Sequence, residues 1–190
     1  MTRAHRDNFR QGDAVAVIVT FDEIVAVVTG AAQAVRDELI ESGCGDVNRF
    51  CPLVPGEIAW DECDCGQLAQ TITEIYPSTQ FPLQAVDDRR TACGPQMSVV
   101  NVTLSLTRCV PGPTDNGSPP TCDQLLAAAV ITECDREAAR KAIACYLMEL
   151  RDTYQIHEFV VGSAVSVGPQ GGCSGIELPY RFGVNNVCCD

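Results

Sequence analysis

The chain is short of positive charge. Its 190 residues include 13 lysines and arginines against 25 aspartates and glutamates, a formal net charge of −12. Affinity for a phosphate backbone needs clustered Lys and Arg that release counterions, so a nucleic-acid-binding role is not expected. Histidine is scarce as well: His5 and His157 are the only two, and neither falls at finger-type spacing. No Cys-x-x-Cys pair occurs, so no structural zinc site is expected. No run reaches the roughly eighteen apolar residues that a membrane span needs. No glycine-rich phosphate loop leads from a strand into a helix, because Gly168 to Gly175 holds no lysine and lies between strands. There is no internal repeat and no coiled-coil pattern. Neither a cofactor nor a metal is expected.

What is present is enough apolar material for a core. The hydrophobic fraction is 46%, and a chain of this length buries roughly two thirds of its unfolded surface as one domain. Residues 1–12 are polar and aperiodic and read as an arm; residues 13–190 read as a single domain. Twelve cysteines are many for a cytosolic protein. The apolar run from Ala14 to Phe21 is hemmed by Asp13, Asp22 and Glu23 and does not read as a secretory leader, so synthesis in the cytoplasm is expected. Among the cysteines, Cys44, Cys51, Cys63, Cys65, Cys93 and Cys173 are the candidates for disulfides in an oxidising medium. Cys134 and Cys145 fall on helical patterns, where a free thiol acts as a small buried hydrophobe.

The pattern of elements predicts an α+β fold, an antiparallel sheet packed against two helical regions. Thr20 and Glu23 form a capping box, with Val19 and Ile24 as its staple. Ile24, Val28, Ala31, Val35 and Leu39 then follow at helical spacing until Gly43. Prolines 52, 55, 77 and 82 fence two extended runs, Glu57 to Asp61 and Gln67 to Tyr76, about a Cys63-Asp64-Cys65-Gly66 turn. Residues 83–97 read as loop. Val100, Val102, Leu104 and Leu106 alternate with polar residues, a strand with one buried face. Residues 111–120 are too rich in turn formers to be anything but loop. Thr121 caps a helical region to about Arg151, with Leu125, Leu126, Ala129 and Val130, then Ala138, Ile143, Cys145 and Leu147, as its apolar positions and a break or second cap at Thr132 to Asp135. A terminal hairpin pairs Phe159 to Val167 with Ile176 to Val184, and Pro179 predicts that its last strand is an edge.

Chemistry-bearing constellations are few. Asp61, Glu62 and Asp64 make one dense acidic patch without calcium-loop spacing. A thiol enzyme would need a low-pKa cysteine beside His157. Asn101-Val-Thr103 and Asn116-Gly-Ser118 match glycosylation sequons that matter only under secretion. Trp60 reads as a core or interface anchor. No catalytic residue is assigned.

Four segments carry a resemblance: VPGEIAWDECDCGQL from Val54, YPSTQFP from Tyr76, LTRCVPGP from Leu106, and the Gly168-Pro-Gln-Gly-Gly-Cys173 turn. Together they resemble neck and tail proteins of long-tailed actinobacteriophages, and the order of elements is similar to the tail terminator family from about residue 20 onward. The cysteine richness and the long 111–120 loop exceed that family's minimal core. The resemblance implies a ring, six-fold, that caps the completed tail tube, stops its polymerisation and docks the filled head. It implies no catalysis. Its partners would be further copies of the chain, the tail tube protein and the head-tail stopper, in the virion neck, assembled in the bacterial host cytoplasm. Six such chains would carry about −72 in all, a lining that lets DNA pass without adhering. Candidate contacts are Arg3, Arg6 and Arg10 of the arm, Trp60, Asp87, Arg89 and Arg90 of the 83–97 loop, and Asp115 and Asn116 of the 111–120 loop. Other readings are the stopper itself, expected to be a smaller β-barrel, and a secreted cysteine-rich binding domain.

Overall fold

The computed structural model describes residues 21–56, 64–85, 97–170 and 172–185. The elements are helix α1 (Phe21–Glu41), strands β1 (Arg49–Cys51), β2 (Gln67–Ser78) and β3 (Met97–Cys109), helix α2 (Cys122–Asp152), and strands β4 (Phe159–Val161), β5 (Val165–Gln170) and β6 (Cys173–Asn185). The strands form one sheet in the order β1-β2-β3-β6-β4, with β5 also on β6. The fold is α+β. The expected strand at residues 57–61 and the Thr20–Val19 part of the first cap lie outside the described residues.

β3 is central because its sequence allows nothing else. Its even-numbered side chains Val100, Val102, Leu104 and Leu106 are buried, facing Ile176, Leu178, Tyr180 and Phe182 of β6 and Leu68 of β2 in one apolar layer. The helices cover that layer. α1 contributes Val27, Val28, Ala31, Ala32, Val35 and Leu39, and α2 contributes Ala138, Ala139, Ala142, Ile143, Leu147 and Leu150. Gly43, at φ +76°, ends α1 in the left-handed region, and the amide of Cys44 returns to the carbonyl of Leu39 at 3.0 Å. Gly30 has a different reason: an added Cβ would lie 2.1 Å from the Tyr146 hydroxyl of α2, so the two helices meet there only without a side chain.

One polar group crosses the apolar layer. Gln70 is fully buried; its amide donates to the Val28 carbonyl of α1 at 2.9 Å and its oxygen accepts from the Tyr180 hydroxyl at 2.6 Å. Burial pushes the Tyr180 phenol up, which keeps it a donor. A satisfied buried amide fixes register between α1, β2 and β6 where apolar packing alone would tolerate a slip.

Three expectations are corrected. The sheet is mixed, because β1 runs parallel to β2 while the other pairs are antiparallel. β6 is interior, with β3 on one edge and β4 and β5 on the other. Pro179 is tolerated there because the partner strand is interrupted opposite it: the Pro179 carbonyl accepts from Gly162, so its missing N–H points into the gap between Val161 and Val165. α2 is one unbroken helix. Thr132 bonds back to the Ala128 carbonyl at 3.1 Å, and Asp135 turns inward to an arginine instead of capping a turn.

Leu104 sits at the centre of the layer with no exposed surface. Leu104→Ala is expected to cost roughly 2–5 kcal/mol. Denaturant and thermal melts check this; an unchanged midpoint would remove β3 from the core.

Candidate functional site

α2 outruns everything it packs on. Its 31 residues extend about 46 Å against about 31 Å for the 21 residues of α1. The helices are antiparallel: Glu38 meets Lys141 at 2.8 Å, and Cys44 is disulfide-bonded to Cys134. The residues of α2 before Cys134 therefore project past the C-terminal end of α1. Leu125, Leu126, Val130 and Ile131 stand 47%, 63%, 61% and 43% exposed. Of the expected apolar positions of α2, Ala138, Ile143 and Leu147 are buried, while Leu125, Leu126, Ala129 and Val130 are corrected to exposed positions, because α1 ends before it reaches them.

The projecting half holds its conformation by local means. Thr121 accepts from the Gln124 amide, and the Gln124 side chain accepts from the Thr121 amide, a reciprocal cap. Asp123 lies in the first turn, where the helix dipole favours an acid. The alanines at 127, 128 and 129 have high propensity, and the packed half of the helix has already nucleated it.

Under this overhang runs an apolar groove of about 570 Å3. One wall is Leu125, Ala128 and Ala129; the other is Val110, Pro111 and Pro113, with Val167 and Pro169 of the β5–β6 hairpin at its end. Residues 111–113 line it, and the 111–120 loop continues from there. Its Asp115-Asn116 turn is exposed and closed by the Thr114 amide on the Ser118 carbonyl at 2.9 Å and the Gly117 amide on the Thr114 carbonyl at 2.7 Å.

The overhang is held at its root by Arg108. The guanidinium donates through Nε and Nη2 to both oxygens of Asp135, at 2.9 Å each, and through Nη1 and Nη2 to the carbonyls of Asp46 and Gly45, at 2.6 and 2.8 Å. Burial pushes the Asp135 carboxyl up against the downward pull of Arg108. On the solvent side Arg36 grips Asp46 at 2.7 Å and holds its carboxyl down at about 2. Two disulfides flank the cluster, Cys44–Cys134 and Cys65–Cys109, and Cys173 is disulfide-bonded too.

Of the sequence-predicted residues, Asp115 and Asn116 are exposed in the turn of the loop whose residues 111–113 line the groove. Arg3, Arg6, Arg10, Trp60, Asp87, Arg89, Arg90, Cys63 and Cys93 lie outside the described residues, as does the 1–12 arm. Cys51 is corrected to a free thiol, and Cys134 from a buried free thiol to a disulfide partner of Cys44. Cys145 is free but exposed. The ring of His157 bonds the Asn185 side chain instead of a thiol. No cluster of potential metal ligands occurs among the described residues, and of the acidic patch only Asp64 is among them, exposed in its turn. Asn101 is half-buried within β3 and bonded to Glu74.

Arg108 and Ile131 were missed by sequence reasoning. For Arg108 a signal existed: it has the same parity as Val102, Leu104 and Leu106, so a charge was aimed inward and required a buried acid. No protein-family model matches the chain, and no curated protein matches it.

Two outcomes follow from the cluster. Arg108→Met leaves Asp135 buried without its partner and is expected to cost about 3–5 kcal/mol in denaturant unfolding; a loss below 1 kcal/mol would show that the fork is dispensable. Asp46 has a folded pKa below its ordinary 3.8, so the Arg36 pair contributes above about pH 4 and is lost as pH falls toward 2. An NMR titration of Asp46 should give a midpoint near 2 that moves back toward 3.8 in Arg36→Ala.

Proposed function

We propose that this chain is a structural virion protein of a tailed phage, a tail terminator that assembles as a ring on the tail tube and offers the docking face for the head-neck complex. The observation that carries the reading is the overhang of α2: four exposed aliphatic side chains along a capped, rigidly rooted helix. Exposed aliphatic side chains concentrated on one projecting segment support a site of association. It stands on a scaffold tied by an ion pair and disulfides, which suits a contact that must hold its geometry through assembly. The resemblance of the four sequence segments supplies the class of assembly, and the net charge of −12 suits a channel through which DNA passes without adhering.

In this reading the partners are copies of the chain in a hexameric ring, the tail tube protein below and the head-tail stopper above. The work is done by complementarity of surfaces, with no bond made or broken. Asp115 and Asn116 of the 111–120 loop, and Arg3, Arg6 and Arg10 of the arm, are the residues assigned to contacts.

A second reading has its own observation. The Cys44–Cys134 and Cys65–Cys109 disulfides suit a secreted cysteine-rich binding domain, because disulfides persist in oxidising compartments. The terminator reading requires them to form after release from the host.

Negative-stain imaging of the purified chain, alone and with tail tube protein, separates the two. The terminator is expected to give rings and capped tubes of limited length, and a phage lacking it to give overlong or headless tails. Tubes whose length ignores the protein, or normal virions in its absence, would sink the terminator. Monodisperse single chains that never cap a tube are what the secreted domain predicts.

A further inference from the structure

We infer that the groove beside the overhang of α2 receives residues 14–20 of a neighbouring copy of this chain. The inference rests on the assembly reading above and names the contact through which copies join. The groove is apolar and open, walled by Leu125, Ala129, Val110, Pro111, Val167 and Pro169. Beside it runs β5, which is paired on β6 and carries no further strand on its outer edge among the described residues. An apolar wall next to an unpaired edge is the arrangement that accepts an extended segment: the edge supplies backbone donors and acceptors, and the wall takes alternate side chains.

Composition identifies the segment. Ala14-Val-Ala-Val-Ile-Val-Thr20 lies between Asp13 and Asp22 with no charge of its own. Its β-branched residues favour extended chain.

Reach identifies whose segment it is. Glu38 meets Lys141, Cys44 is bonded to Cys134, and Gly30 lies against Tyr146, so Phe21 stands at the end of the helix pair where α2 finishes at Asp152. From Asp152 back to Ala129 is about 35 Å along the helix. Seven residues span no more than about 25 Å when fully extended. The segment belonging to the same chain falls short, and that of another copy has no such limit.

Charge favours the same docking. Upstream of the segment come Arg3, Arg6 and Arg10, and the lining of the groove includes the carboxylate of Glu133. Since groove and segment are different patches, the contact is heterologous and repeats from copy to copy until a ring closes.

Analytical ultracentrifugation of the full chain tests this with two variants, Ile18→Asp in the segment and Ala129→Arg in the groove. Each is expected to raise the concentration for half-assembly at least about tenfold, because each buries an unpaired charge. Mixed together, the two should form pairs, since the intact groove of one accepts the intact segment of the other. A free peptide of residues 12–21 should compete with assembly of the parent chain and fail to bind Ala129→Arg, a readout that survives any folding defect in Ile18→Asp. Variants that assemble like the parent, mixtures that stay monomeric, or a peptide without effect would overturn this contact while leaving the assembly reading standing. A parent chain that remains monomeric at all concentrations would overturn both.

Discussion

The placement of α2 depends on one half-buried guanidinium. Arg108 stands at the end of the central strand with its side chain on the apolar side, where an unpaired charge would be ruinous. Asp135 on α2 and the carbonyls of the α1–β1 turn occupy its donors. Such a fork adds little net stability over an apolar contact, because desolvation of both ions offsets their attraction. Its value is directional. Five donors in a rigid plane fix where α2 crosses the sheet more tightly than leucines do. The Cys44–Cys134 bond then pins α2 to the end of α1 one residue away from Asp135.

The exposure of the first half of α2 follows from where that anchor falls. Asp135 lies fourteen places into a helix of 31 residues, so nearly half of α2 is on the far side of the clamp from the core. The packed half presents Ala138, Ala139, Ala142 and Ile143 to the sheet and Leu147 and Leu150 beyond. The projecting half presents the same kind of residue to solvent. A monomer gains nothing from an apolar stripe held in water, and burial of each such side chain on association is worth about 1.5–3 kcal/mol. The geometry of the anchor is thus what leaves these apolar side chains in water, and the proposed assembly reading rests on that exposure.

The parts of the fold legible in the sequence are those set by local rules. Period two in β3, period 3.6 in α1, the stop at Gly43 and the cap at Thr121 each name their element because the cause lies within a few residues. What could not be read depends on partners distant in the chain. β1 is three residues long and too short for a period. Pro179 argues for an edge strand by every local rule, and only the gap between β4 and β5 admits it to the interior. The stripe at Leu125, Leu126 and Val130 has the right spacing for a core, yet periodicity says that a face is apolar and not what covers it. Cysteine pairing is of the same kind, since Cys44 and Cys134 are separated by 90 residues. The 111–120 stretch was legible as a loop, but the groove that its residues 111–113 line required the path of α2.

The acidity of the chain bears on where copies can meet. Two bodies of −12 repel at any face rich in carboxylates, and at physiological ionic strength screening sets in only over about 8 Å. Contact distances are shorter than that, so association is favoured where charge is sparse. From Gly112 to Thr132 the chain carries only Asp115 and Asp123, and this is the stretch that forms most of the 111–120 loop and the overhang. The remaining acids are then free to face solvent or a channel. In the proposed ring, a surface that repels in general and adheres in one place would restrict both the partner and the orientation. That restriction is what a ring needs if it is to close at a fixed number of copies instead of growing without limit.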